Sequence, residues 1–131
     1  MDERERERVH IAIVGPCSAG KSTLAGALQA AGYRVSQPAQ EHSYVANMWQ
    51  RLTRPDILIY LDVDYPHARQ RRPYLDGGPQ RVAEQQQRLA HARQHCHFYL
   101  DTSVLTPAQV QSAVLSFLQQ ALQGNAAKRE R

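Results

Sequence analysis

IAIVGPCSAGKSTLAGAL, Ile11 to Leu28, changes character twice within a few residues. The apolar run Ile11–Val14, extended back to Val9 and His10, reads as a strand covered on both faces, as in a parallel sheet. Lys21 to Ala31 reads as a helix with Leu24, Ala25, Leu28 and Ala31 facing inward and Gly32 as its stop. Between them Gly15, Gly20, Lys21 and Ser22 satisfy GxxxxGK[ST] in the strand–loop–helix context that motif requires. Glycines at both ends let the backbone bend around phosphate oxygens, and the helix N-terminus adds a partial positive charge. Gly15, Pro16, Cys17, Ser18, Ala19 and Gly20 would line the cradle. Lys21 would reach the outer phosphates, Ser22 would offer a hydroxyl to Mg²⁺, and Thr23 would meet the inner phosphate. The loop therefore implies a nucleoside triphosphate, ATP or GTP, with Mg²⁺. The plainer alternative is a glycine-rich turn that binds nothing. For Cys17 a small filler competes with a thiol made reactive by the helix N-terminus.

Working outward, 131 residues suffice for one domain and one core. We expect a charged lead-in over 1–8, the domain over 9–124 and a tail over 125–131. No apolar run approaches membrane-spanning length, and two cysteines give no disulfide framework, so the expectation is a reduced, cytoplasmic chain. The net charge is +4 and the pI near 9.4, which permits phosphate ligands and nucleic acid alike. Of 16 basic residues only Lys21 and Lys128 are lysines. A lysine inside the glycine loop of so arginine-rich a chain marks a place for a compact, flexible ammonium. Acids in the body are few: Glu41, Asp56, Asp62, Asp64, Asp76, Glu84 and Asp101.

Further strands are expected at Tyr33–Ser36, Ile57–Leu61 and Phe98–Leu100. Helices are expected at Tyr44–Leu52, at Pro79 to about His95, and from Pro107 to Gly124. Thr106 to Gln109 has the form of a capping box. Strands and helices alternate, which predicts an α/β fold: three layers, helices on both faces of a mainly parallel sheet.

On these residues the chain resembles the small P-loop kinases, that is, the nucleoside and nucleoside-monophosphate kinases, shikimate kinase and their relatives. The loop is one point of likeness. Pro55–Asp64 with Arg69, Arg71 and Arg72 is similar to the strand and lid of thymidylate-kinase-like enzymes. Phe98–Ser103 followed by Thr106–Pro107 is similar to their last strand and base-side loop, which implies that Asp101, Thr102 and Ser103 lie near the base. The resemblance implies five core strands, with the Walker B acid ending the strand beside the loop strand. Here one strand–helix unit is missing, so about four strands are expected and the Walker B place is vacant or taken by another residue.

Glu41 follows the second strand, where several nucleoside kinases carry the base that takes the acceptor's proton. Gln37 and His42 are secondary candidates for orienting water or acceptor. Asp62 is a candidate metal ligand beside Ser22, while Asp64 is either catalytic or a cap. Arg71 and Arg72 could clamp transferring phosphate, or with Arg69 form a solvated basic face. Tyr44, Met48 and Trp49 could line an acceptor pocket, or belong to the core or a homodimer contact. His91, His95, His97 and Cys96 invite a zinc reading, although no second ligand pair at metal spacing accompanies them.

Three functions remain open on the sequence. One is a kinase acting on a small-molecule acceptor, with Lys21, Glu41, Arg71 and Arg72 as its catalytic set. A second is a nucleotide-binding module or slow NTPase that switches a conformation or a partner. The third, a polynucleotide 5′-kinase, has no aromatic–basic reader pattern behind it, and nucleic acid is the weaker expectation.

Overall fold

The computed structural model describes residues 3–73 and 78–129, so Asp76 and Gly77 of the lid-like stretch lie outside it. In chain order the elements are α1 (Glu3–Arg8), β1 (His10–Val14), α2 (Lys21–Ala30), β2 (Arg34–Ser36) and a 3-10 turn (Gln40–His42). They continue with α3 (Met48–Thr53), β3 (Ile57–Asp62), α4 (Tyr65–Arg71), α5 (Gly78–Arg88), α6 (Ala90–His95), β4 (Phe98–Asp101) and α7 (Pro107–Arg129). The sheet has four strands in the order β2-β1-β3-β4, all parallel.

Alternation along the central strands assigns the layers. Ile11, Ile13, Ile57, Ile59 and Leu61 face one way, into a core closed by Leu24 and Leu28 of α2 and by Val110, Val114 and Leu118 of α7. Ala12, Val14, Leu58 and Tyr60 face the other way, against Trp49 of α3, Leu89 and Ala92. Both faces of β1 are thus dry, which is why all five of its residues are buried. The capping box at α7 forms reciprocally: Gln109 N–H donates to Thr106 Oγ1 at 3.2 Å, and Thr106 N–H donates to Gln109 Oε1 at 2.9 Å.

Strand order places the site. The chain leaves β1 for β2 on one side and later returns to β3 on the other, so the topological switch point lies at the C-terminal end of β1. In open parallel sheets that crevice is where ligands bind. Here it opens on Gly15.

Several boundaries differ from the sequence reading. The lead-in is helical and docked: Arg6 Nη1 donates to Ala31 O at 2.9 Å, and its guanidinium lies 5.8 Å from the centre of the Tyr33 ring. α7 runs through Gly124 to Arg129, so that glycine is no stop and the expected tail is mostly helix. The long polar helix divides at Leu89, which is buried and turns out of α5 into α6. The expected helix from Tyr44 begins only at Met48. Tyr44 and Leu52 are exposed, while Trp49 alone is buried, its indole N–H donating to His91 Nδ1 at 3.2 Å. Trp49 therefore belongs to the core, and it also borders a cavity with Arg51, Arg54, His95 and His97. No helix among the described residues is long and apolar enough to cross a membrane.

Candidate functional site

The loop between β1 and α2 is held from outside by its carbonyls. Arg71 Nη1 donates to Ser18 O at 2.8 Å, and Thr102 Oγ1 donates to Ala19 O at 2.8 Å. Arg71 is itself fixed on Thr102, through Oγ1 at 3.0 Å and through the carbonyl. Gln85 of α5 accepts from Cys17 N–H at 3.0 Å. Two loop carbonyls, Ser18 O and Ala19 O, and two loop N–H groups, Cys17 and Ala19, are thus engaged, and Ala19 N–H closes the turn on Pro16 O at 3.3 Å. α2 begins without a capping side chain, so the donors of its first turn stay open toward the crevice. Ser18 holds φ +70° with its hydroxyl buried and unpartnered among the described residues. Strain of that kind costs on the order of 1–3 kcal/mol and persists where surrounding contacts over-determine it.

Opposite the loop stands the segment after β2. Lys21 Nζ lies 3.0 Å from Glu41 Oε1 and donates to Gly15 O at 2.5 Å. The two charged side chains are 14% and 7% exposed, so this is a largely buried ion pair. Glu41 is carried by the 3-10 turn, which Gln40 locks from beneath by donating to Val45 O and Arg88 O and accepting from Trp49 N–H. Ser22 Oγ donates to Gln37 Oε1 at 3.1 Å. Because β2 pairs directly with β1, Gln37 is the residue that the neighbouring strand delivers to the helix hydroxyl. An amide stands there in place of a carboxylate.

Other candidates divide. Asp62 does not face Ser22: it shares the Leu58–Tyr60 side of β3, where Oδ1 accepts from Val63 N–H and Oδ2 accepts from Tyr99 O–H at 2.5 Å. Strand alternation turns it to the face away from α2, where Val63 and Tyr99 engage both oxygens, so it is not the metal ligand beside Ser22 that its place in the sequence suggests. Asp64 caps α4, accepting from His67 N–H at 2.9 Å, with His67 Nδ1 at 2.6 Å. The backbone bond and then the imidazole hold its carboxyl below the usual range. Arg71 and Arg72 are both exposed, and of the two it is Arg71 that reaches the loop, while Arg72 stands at the C-terminal cap of α4. Asp101 accepts from Ser103 N–H and Oγ, at 2.9 and 2.6 Å, and so shapes the turn before α7. His91 and His95 lie ring against ring, centroids 4.3 Å apart, beside Trp49, but His97 Nδ1 accepts from Leu58 N–H at 2.9 Å, and neither His97 nor Cys96 joins them in a group of three potential ligands among the described residues.

A cavity of about 310 Å³ lies between Thr23, Arg71, Thr102 and the aliphatic side chains of Leu24, Leu105 and Val110. That volume sits at the lower end of the roughly 300–1,000 Å³ of small-molecule sites. Gln85 was invisible in the sequence, because nothing local marks one glutamine of a polar helix as the partner of a loop 68 residues away.

The Asp62–Tyr99 contact yields a test of its own. Burial first, and then the bond to Asp62, push the Tyr99 hydroxyl from 10.0 up to about 12. A group that holds its proton more tightly when folded contributes stability that is intact below pH 10.0 and is lost as pH rises toward about 12. Equilibrium unfolding across that window should show a steep alkaline loss in the wild type and a shallower one in Tyr99→Phe.

Compared with known proteins, the chain matches no protein-family model, and no curated protein matches it at a meaningful level of similarity.

Proposed function

We propose that the crevice binds a nucleoside triphosphate with Mg²⁺ and transfers its terminal phosphoryl group to a small-molecule acceptor, in the manner of the small P-loop kinases. One observation carries this reading: a lysine from the start of an uncapped helix and a buried glutamate from the 3-10 turn after β2 meet at the topological switch point of the sheet. Triphosphate binding draws Lys21 from Gly15 O and Glu41 to the phosphates. Glu41 is then free to accept the proton of an entering hydroxyl. Arg71, already on the loop, neutralises charge from the far side. The cavity under Arg71 and Thr102 suits the base, which agrees with the expectation for the turn before α7 and leaves ATP and GTP as alternatives. Ser22 Oγ with Gln37 Oε1 offers hard oxygen donors, a fit for a Mg²⁺ ion that takes its remaining ligands from phosphate and water. Such an ion supplies charge neutralisation for the transferring group.

The same Gln37 favours a second reading. Without a carboxylate beside Ser22 the metal is held less firmly, as befits a nucleotide-gated binding module with slow turnover. ADP release from Mg·ATP, with and without a pool of nucleosides, nucleoside monophosphates and hydroxylated metabolites, separates the two. The kinase reading expects acceptor-stimulated release that falls by about 10²-fold or more in Glu41→Gln, with nucleotide binding retained. A slow rate indifferent to both the pool and Glu41 removes that reading and leaves the module.

A further inference from the structure

The loop and the turn after β2 also bring together three side chains whose chemistry is not that of a phosphate cradle. Cys17 Sγ lies 3.8 Å from His42 Nε2, and His42 Nε2 lies 3.7 Å from Glu41 Oε1. One ligand atom from each falls within 4.8 Å of the others, and no other such group of three or more occurs among the described residues. A tetrahedral ion bound to sulfur at about 2.3 Å and to nitrogen and oxygen at about 2.0–2.2 Å spaces its ligands about 3.3–3.6 Å apart. The two edges that meet at His42 therefore need to close by only a few tenths of an ångström, and the Cys17–Glu41 edge lies within 4.8 Å. A second observation points the same way. The Glu41 side chain is 7% exposed, yet its Oε2 has no hydrogen-bond partner among the described residues. A buried carboxylate oxygen left unpaired is costly: Lys21 already holds Oε1, the oxygen nearest His42, and a cation drawn to the carboxylate would give Oε2 the partner it lacks.

We infer that Cys17, Glu41 and His42 form a site for a zinc-class transition-metal dication, with the fourth position open to water. The donor set decides the class: a thiolate and an imidazole suit Zn²⁺ or Co²⁺, whereas Mg²⁺ and Ca²⁺ demand oxygen. The site is distinct from the hydroxyl–amide pair at Ser22. Binding converts the Cys17 thiol to thiolate and releases its proton to solvent. Gln85 Nε2, 3.4 Å from Cys17 Sγ, is the donor that orients that sulfur. Lys21 on Glu41 Oε1 is a rival cation, so the ammonium and the metal oppose one another at Glu41.

The test uses the full chain, reduced, with no nucleotide present, titrated with Co²⁺. One Co²⁺ per chain should bind with a thiolate-to-cobalt charge-transfer band, and Zn²⁺ should displace it stoichiometrically. Cys17→Ser, a near-isosteric change whose unfolding midpoint is checked alongside, should abolish the band. His42→Ala should weaken binding at least about tenfold. Lys21→Ala should bind Co²⁺ about tenfold more tightly, and should gain more in unfolding midpoint from the metal than the wild type does. That variant also separates the two readings, since loss of nucleotide binding in it leaves the metal site intact. No charge-transfer band at stoichiometric Co²⁺ overturns the inference. So does a band that survives Cys17→Ser and disappears in Cys96→Ser, which would place the metal at the exit of α6.

Discussion

Gly15→Ala should cost about 3 kcal/mol or more of stability, and the loss should be far larger than at any other glycine of the loop or of α2. Gly15 sits at φ +153°, and a Cβ built on it lands 1.9 Å from Leu61 O and 3.0 Å from Leu61 C. Both atoms are backbone of β3, so no rotamer can step aside. The strand itself must move, at the end where Val14 pairs with Tyr60. Two neighbouring glycines serve as internal controls. Gly20 has φ +97° with nothing within 4 Å of its Cβ position, so Gly20→Ala meets only backbone strain, about 1–2 kcal/mol. Gly26 lies inside α2 with open space and no such φ, so Gly26→Ala should stabilise by about 0.5–1 kcal/mol. Urea unfolding of the three variants should therefore give a large loss, a moderate loss and a gain, in that order. A Gly15→Ala protein within 1 kcal/mol of wild type would mean that β1 and β3 part at the crevice more easily than their pairing indicates.

What the sequence disclosed, and what it withheld, divides along physical lines. The strand–loop–helix of Ile11–Leu28 was legible because each step is local: a fully apolar strand, glycines where the chain must turn, and aliphatic residues at helical spacing. The count of four strands was legible for a related reason, since Thr53–Arg54 leads directly into the apolar run of β3 with no room for another strand. Glu41 could be nominated from its place after β2. Its pairing with Lys21 could not, because that contact depends on β2 lying beside β1, a fact of strand order rather than of either segment. Asp62 shows the opposite failure. It ends the right strand, but strand alternation turns it to the far face, and one residue's difference in register decides a ligand. The Tyr44–Leu52 stripe failed because a helix pattern needs a helix to display it, and residues 44–47 precede the first turn of α3. Gln37 was legible as a position and became informative only once Ser22 was seen to donate to it.

The second large effect concerns the pair that the nucleotide would have to break. Lys21→Met removes the only ion-pair partner that the described residues place within 3.5 Å of a carboxylate whose side chain is 7% exposed, and should cost about 2–4 kcal/mol. Glu41→Gln leaves the ammonium beside an amide oxygen that still accepts a hydrogen bond, and should cost less. The double variant, with neither charge, should recover to within about 1 kcal/mol of wild type, giving a coupling energy of roughly 2–3 kcal/mol in a double-mutant cycle. Little of it should be lost in added salt, because ions screen buried pairs weakly. Strictly additive single losses would mean that each side chain is solvated independently, and that the crevice is wider in solution. If the coupling is present, it has a functional corollary. The energy that holds Lys21 on Glu41 in the free protein opposes nucleotide binding by the same amount, since Lys21 cannot serve both. Glu41→Gln should then bind Mg·ATP more tightly than wild type, by up to the roughly 30–150-fold that 2–3 kcal/mol is worth, while turning it over more slowly. That opposite movement of affinity and rate distinguishes a base held in reserve by its own lysine from a glutamate that merely completes the fold.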